Sequence, residues 1–109
     1  MTANNLFKLP EKLPPEEYIE VLAAKSGLRI ERIVSSGQTS PVDFWYDQPE
    51  DEWVAVLQGK GILQWEDGTR QELSFGDWLF IPARKKHRVD YTSKEPPCVW
   101  IAVFIGAGS

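Results

Sequence analysis

The reactive side chains of this chain are few, and their scarcity narrows the chemistry. His87 is the only histidine, so any step that needs an imidazole near neutral pH falls to it. Glu52 opens the apolar run Glu52-Trp-Val-Ala-Val-Leu-Gln-Gly59, and burial of a carboxylate raises its pKa toward neutrality. The aromatic run Phe44-Trp45-Tyr46 could stack on a sugar or an aromatic ligand, or pack alternately into core and interface. The basic run Arg84-Lys85-Lys86-His87-Arg88 stands out in an acidic protein. It could draw a carboxylate or phosphate, or it could keep a strand edge solvated. Cys98, the only cysteine, follows Pro96-Pro97 and reads as a buried small hydrophobe rather than a nucleophile. No Gly-rich phosphate loop, zinc-ribbon spacing or serine-hydrolase motif occurs.

Short strands must position these groups. Residues 1–14, with Pro10 and Pro14, read as an extended arm whose Leu6, Phe7 and Leu9 could dock on the body of the protein or on a partner chain. The spacing predicts a short helix from Pro15 to Lys25: a proline and acids in its first turn, Lys25 in its last, Gly27 as its stop, and a stripe of Tyr18, Val21 and Leu22. From Leu28 the period changes to two. Strands are predicted at Leu28–Ser35, at the short aromatic Asp43–Asp47 and at Glu52–Gln58, then near 61–66, 69–74, 77–82, 86–92 and 98–105. Turn signals such as Asp67-Gly68 and Phe75-Gly76 separate them. Regular short strands of this kind make an all-β sandwich or barrel. If Glu52 points inward, so do Val54 and Val56, while Trp53, Ala55 and Leu57 form an opposite face that is also apolar. Such a strand is covered on both sides. The helix, the arm or a second subunit must supply the outer cover.

Composition sets the outer bounds. A length of 109 residues with 42% hydrophobic content suits one domain. Net charge of −4 and a pI near 5.0 argue against bulk nucleic-acid binding. No apolar run approaches a membrane span, and the N-terminus lacks a signal-peptide core. A lone cysteine fits a reducing compartment, so a cytoplasmic location is expected. Five tryptophans are many for this length and point to bulky inner packing or a self-association surface.

The two glycine-bounded strands resemble the paired motifs of the cupin superfamily, over roughly residues 28–105. The first motif runs from glycine through His-x-His to a glutamate, then six residues to a glycine, and Glu52 and Gly59 keep that last spacing. In the second, Gly76, Pro82 and His87 keep register. The departures are specific. The two early histidines are replaced by Trp45 and Asp47 or by Tyr46 and Gln48, and Gly37 lies too far upstream. Arg84 stands for a glycine and Tyr91 for an asparagine.

The resemblance implies a jelly-roll barrel over residues 28–109, preceded by an arm and short helix over 1–27. It also implies a homodimer, as in many small cupins. It places Glu52 and His87 in one cavity as an acid–base pair suited to isomerisation or lyase chemistry on a small oxygenated or anionic molecule. Trp45, Tyr46, Arg84 and Tyr91 are the expected ligand contacts. Asp47, Gln48, Glu52 and His87 could together hold a divalent Mn, Fe or Zn ion. The alternative is a metal-free pocket that binds or senses a ligand and acts through a protein partner.

Overall fold

The computed structural model describes residues 1–106, which form eight strands and no helix. The last positions of the expected barrel span, 107–109, lie outside the described residues. The strands are β1 (Tyr18–Lys25), β2 (Leu28–Ser35), β3 (Asp51–Gln58), β4 (Lys60–Trp65), β5 (Arg70–Ser74), β6 (Trp78–Ile81), β7 (His87–Thr92) and β8 (Cys98–Ile105). A five-stranded sheet in the order β1-β2-β8-β3-β6 faces a three-stranded sheet in the order β5-β4-β7. Every pairing is antiparallel. The all-β expectation holds, and β3 to β8 start and end within a residue of the predicted bounds.

The predicted helix at 15–25 is instead β1, a strand hairpinned to β2. Gly27 stops nothing helical. Its φ of 75° completes the tight Ser26-Gly27 turn between the two strands. A β-bulge between Val21 and Ala23 explains the misleading pattern. The extra residue, Leu22, breaks the alternation of two, and the sequence then mimics a helical stripe of Tyr18, Val21 and Leu22. Seven paired residues along β2 override the weak local preference.

Asp43–Asp47 is likewise no strand. Asp43 takes a φ of 66° and Phe44 N–H donates to the Pro41 carbonyl, so the chain turns there. One bridge survives: Tyr46 and His87 exchange backbone hydrogen bonds.

Strand parity follows the prediction in β3. Glu52, Val54 and Val56 face inward, and their β8 partners Phe104, Ala102 and Trp100 share that side. With Leu63, Leu73, Ile81 and Cys98 the apolar members of this set form the core, and each large aliphatic buried there stabilises the fold by about 1.5–3 kcal/mol. Gly61 matters to this packing. A Cβ there would lie 2.3 Å from the Trp100 ring, so only glycine lets that ring lie flat against β4.

On the other side of the large sheet, Arg32 is only 6% exposed. It pairs with Glu20 and donates to the carbonyls of Leu6 and Lys8 at 3.1 and 2.8 Å. The arm therefore crosses this outer face at β2, and Val34 and Val99 on the same face are fully buried. The β3–β6 half stays open: Trp78 is 59% and Phe80 50% exposed, with the Trp53 ring 5.8 Å from that of Trp78.

Candidate functional site

Between the sheets lies a cavity of about 200 Å³, smaller than the roughly 300–1,000 Å³ of pockets for drug-sized ligands. Its polar wall draws on five parts of the chain: Glu17 before β1, Arg29 and Glu31 on β2, Tyr46 and Gln48 on the loop before β3, Glu52 on β3 and His87 on β7. Trp100, Phe104, Leu63 and Ile81 supply apolar walls.

Glu52 and His87 meet inside it, as the sequence predicts. Both are at least nine-tenths buried, and Glu52 Oε1 lies 3.6 Å from His87 Nε2. That gap is just beyond a hydrogen bond, so neither atom is consumed by the other. His87 Nδ1 lies 2.9 Å from the Lys85 carbonyl. A carbonyl oxygen only accepts, so Nδ1 carries the proton, and in the neutral ring Nε2 presents its lone pair to the cavity. Tyr46 and Trp65 hold the imidazole plane, with ring centroids 5.4 and 6.0 Å away.

The backbone bridge to His87 decides between the two pairs that stand for the missing histidines. It turns Tyr46 and Gln48 to the cavity, while Trp45 and Asp47 are not in its wall. Burial first, then the Glu17 and Glu52 carboxylates, raise the Tyr46 phenol above its ordinary pKa. The phenol thus stays protonated and is a donor at neutral pH. Asp47 instead faces Arg84 across 3.5 Å at the surface.

Arg84 and Tyr91 are also outside the cavity wall. Arg84 sits in an exposed turn at φ 66°. Its backbone N–H, donating to the Gln48 carbonyl at 2.8 Å, fastens the loop that carries Gln48. Tyr91 is turned away by a β-bulge. β4 advances from Ile62 to Leu63 while β7 steps from Tyr91 back to Val89, so the inward parity of His87 and Val89 does not reach Tyr91. The rest of the basic run is engaged locally: Lys85 lies over the Trp65 ring, Lys86 pairs with Glu66, and Arg88 donates to the Ser40 carbonyl.

Sequence reasoning missed Arg29, Glu31 and Glu17. Arg29 donates to Glu31 at 2.8 Å and to Glu50 at 3.1 and 3.4 Å, and its guanidinium lies 4.3 Å from the centre of the Phe104 ring. Burial works against its charge, and the two carboxylates overcome that and raise its pKa. Glu17 accepts from Ser35 Oγ at 2.9 Å, and Ser35 Oγ in turn accepts from Trp100 Nε1 at 3.1 Å. Charged Arg29 and Glu31 alternating with Leu28 and Ile30 on one strand were the available signal. Cys98 is structural: burial, then Glu17, pushes its thiol up to about 12, far from a thiolate at neutral pH.

The residues do not fit a resident transition metal. Among the described residues no group of three or more His, Cys, Asp or Glu side chains is placed to hold an ion. Of the three carboxylates in the wall only Glu52 stands beside the imidazole, with the Gln48 amide also lining the cavity, short of the three protein ligands of a catalytic zinc site. The expected set fails at Asp47, which is turned to Arg84.

The comparisons with known proteins agree with this architecture. The family model described as Cupin domain matches residues 32–104. A solved structure from Ralstonia eutropha JMP134, provisionally assigned as a mannose-6-phosphate isomerase, is 42% identical with a TM-score of 0.90, covering 97% of this chain and 99% of its own. A cupin superfamily protein of Desulfitobacterium hafniense DCB-2 matches at 17% identity and a TM-score of 0.73, over 89% of this chain and 84% of its own. KdgF from a Halomonas species matches at 18% and 0.70, over 87% and 84%. These two speak to the fold alone. No curated protein sequence matches. With two thirds of its length inside the family model and a full-length relative at 42% identity, the chain belongs to the cupin-domain family.

Proposed function

We propose that the cavity binds a small hydroxylated carbonyl compound and that Glu52 and His87 move protons on it, as an isomerase of the aldose–ketose type. The observation that carries this reading is the buried pair 3.6 Å apart, with the His87 tautomer fixed so that Nε2 is basic. In the proposed step Nε2 takes the proton from the carbon next to the carbonyl, and the electron pair enters the carbon–carbon bond of an enediol. The Glu52 carboxylate takes the adjacent hydroxyl proton and returns it to the former carbonyl oxygen. Delivery of the His87 proton to that former carbonyl carbon completes the transposition. Tyr46, kept protonated, donates to the oxygen on which charge develops. The assignment of the Ralstonia relative as a mannose-6-phosphate isomerase supports this class of reaction. No step is routed through a metal, because the donor set does not suit one.

His87→Ala and Glu52→Gln should each lower the conversion of a hexose or triose between its aldose and ketose forms by about 10²–10⁴-fold, the range for a positioned acid or base. Thermal unfolding checks that both variants are folded. Variants as active as wild type would remove Glu52 and His87 from the reaction, and a wild type that converts neither sugar would leave the metal-free binding module, whose output is a partner protein, as the better reading.

The open half of the large sheet supports a second proposal, homodimerisation. Trp53, Trp78 and Phe80 line it with no charge among them, around the buried Ala55, the composition of an interface core rather than of a free surface.

A further inference from the structure

We infer that the cavity takes an unphosphorylated, hydroxyl-rich carbonyl compound and turns phosphorylated and carboxylated ones away. This rests on the acid–base reading for the place of the site and narrows its substrate class.

Charge makes the case. The cavity wall carries three carboxylates, Glu17, Glu31 and Glu52, against one guanidinium, Arg29, a formal balance of −2 with His87 neutral. An anion entering this confined space meets repulsion that water screens poorly. Arg29 is the wall's one fixed positive charge, and it is already spoken for. Its Nε donates to Glu31, both terminal nitrogens donate to Glu50, and its face is covered by Phe104. Binding a phosphate there would require giving up these ion pairs. The other nearby cations face elsewhere: Arg84, Lys85 and Lys86 are held by Asp47, Trp65 and Glu66 outside the wall.

What the cavity does present is acceptors. The Glu52 carboxylate and His87 Nε2 lie 3.6 Å apart, mostly buried side chains that both line the cavity. Acceptors that face the cavity in this way are matched by donors on whatever fills it, water or a ligand. Hydroxyl groups supply such donors without adding negative charge.

His87 gives the experiment a clean reporter, because the only histidine yields one set of imidazole resonances. The intact protein is titrated with D-mannose, D-mannose 6-phosphate, dihydroxyacetone and dihydroxyacetone phosphate while that signal is followed by NMR. Each unphosphorylated probe should bind tighter than its phosphate by about tenfold or more, as like-charge opposition in a buried site predicts. The gap should narrow in Glu17→Gln, which removes one of the three wall carboxylates. A phosphate that binds as tightly as its parent compound would overturn the inference, as would a signal unmoved by all four probes. Sugar binding without conversion would remove the isomerase reading and leave this inference standing. Conversion confined to the phosphates would do the reverse.

Discussion

The two faces of the five-stranded sheet break the usual rule in opposite ways. Its inner face buries charge: Glu52 is 9% exposed, and Arg29 and Glu31 stand beside it around the cavity. Its outer face exposes aromatic rings at Trp78 and Phe80. Scattered surface apolar groups need no explanation, but buried polar groups and contiguous apolar patches do. The difference teaches where to look for function. The inner face keeps charge in place with partners arranged around it, Glu31 and Glu50 for Arg29 and Ser35 for Glu17. The outer face is half covered by the chain's own arm, clamped by Arg32. The other half leaves Trp78 and Phe80 exposed.

Breaking the arm clamp should have the largest effect on stability. Arg32→Ala leaves Glu20 and three arm carbonyls without their donor, at a cost of about 2–4 kcal/mol in urea unfolding, and it should open residues 5–10 to proteases. Unchanged stability would mean that the arm adds nothing to the outer face. The inner face is tested next by Gly61→Ala. Its methyl would drive into the Trp100 ring, destabilising by about 1–3 kcal/mol and displacing a cavity wall, so ligand affinity should fall as well. Trp53→Asp should halve the mass seen in light scattering, while each released chain stays folded. A wild type that is monomeric at high micromolar concentration would sink the dimer. The smallest effect belongs to the rim. Lys85→Gln with Lys86→Gln removes exposed contacts to Trp65 and Glu66 and should alter stability by no more than about 0.5 kcal/mol.

The same two faces show how far the sequence could be read. β3 to β8 were legible because glycine and Asp-Gly turns punctuate a period of two. Glu52 and His87 were legible through their motif spacing, and Tyr46 and Gln48 as one of two candidate pairs. That pair was decided only by a backbone bridge between distant segments, which local spacing does not encode. Tyr91 was misplaced because a bulge adds one residue to β7. Arg29 and Glu31 were passed over for a more general reason. A strand whose charged residues alternate with Leu28 and Ile30 is ordinarily read polar side out. Here the polar side lines the cavity, and Leu28 and Ile30 share the outer face with the arm.

The central claim is that Glu52 and His87 carry protons on a bound carbonyl compound. Its most direct test is exchange of the substrate's α-hydrogen in heavy water, followed by NMR with D-mannose and intact wild-type protein in the presence of a chelator. The account predicts deuterium at the carbon next to the carbonyl, appearing with wild type and lost by about 10²-fold or more in His87→Ala. Exchange that needs an added metal ion, or that survives in His87→Ala at the wild-type rate, would contradict it.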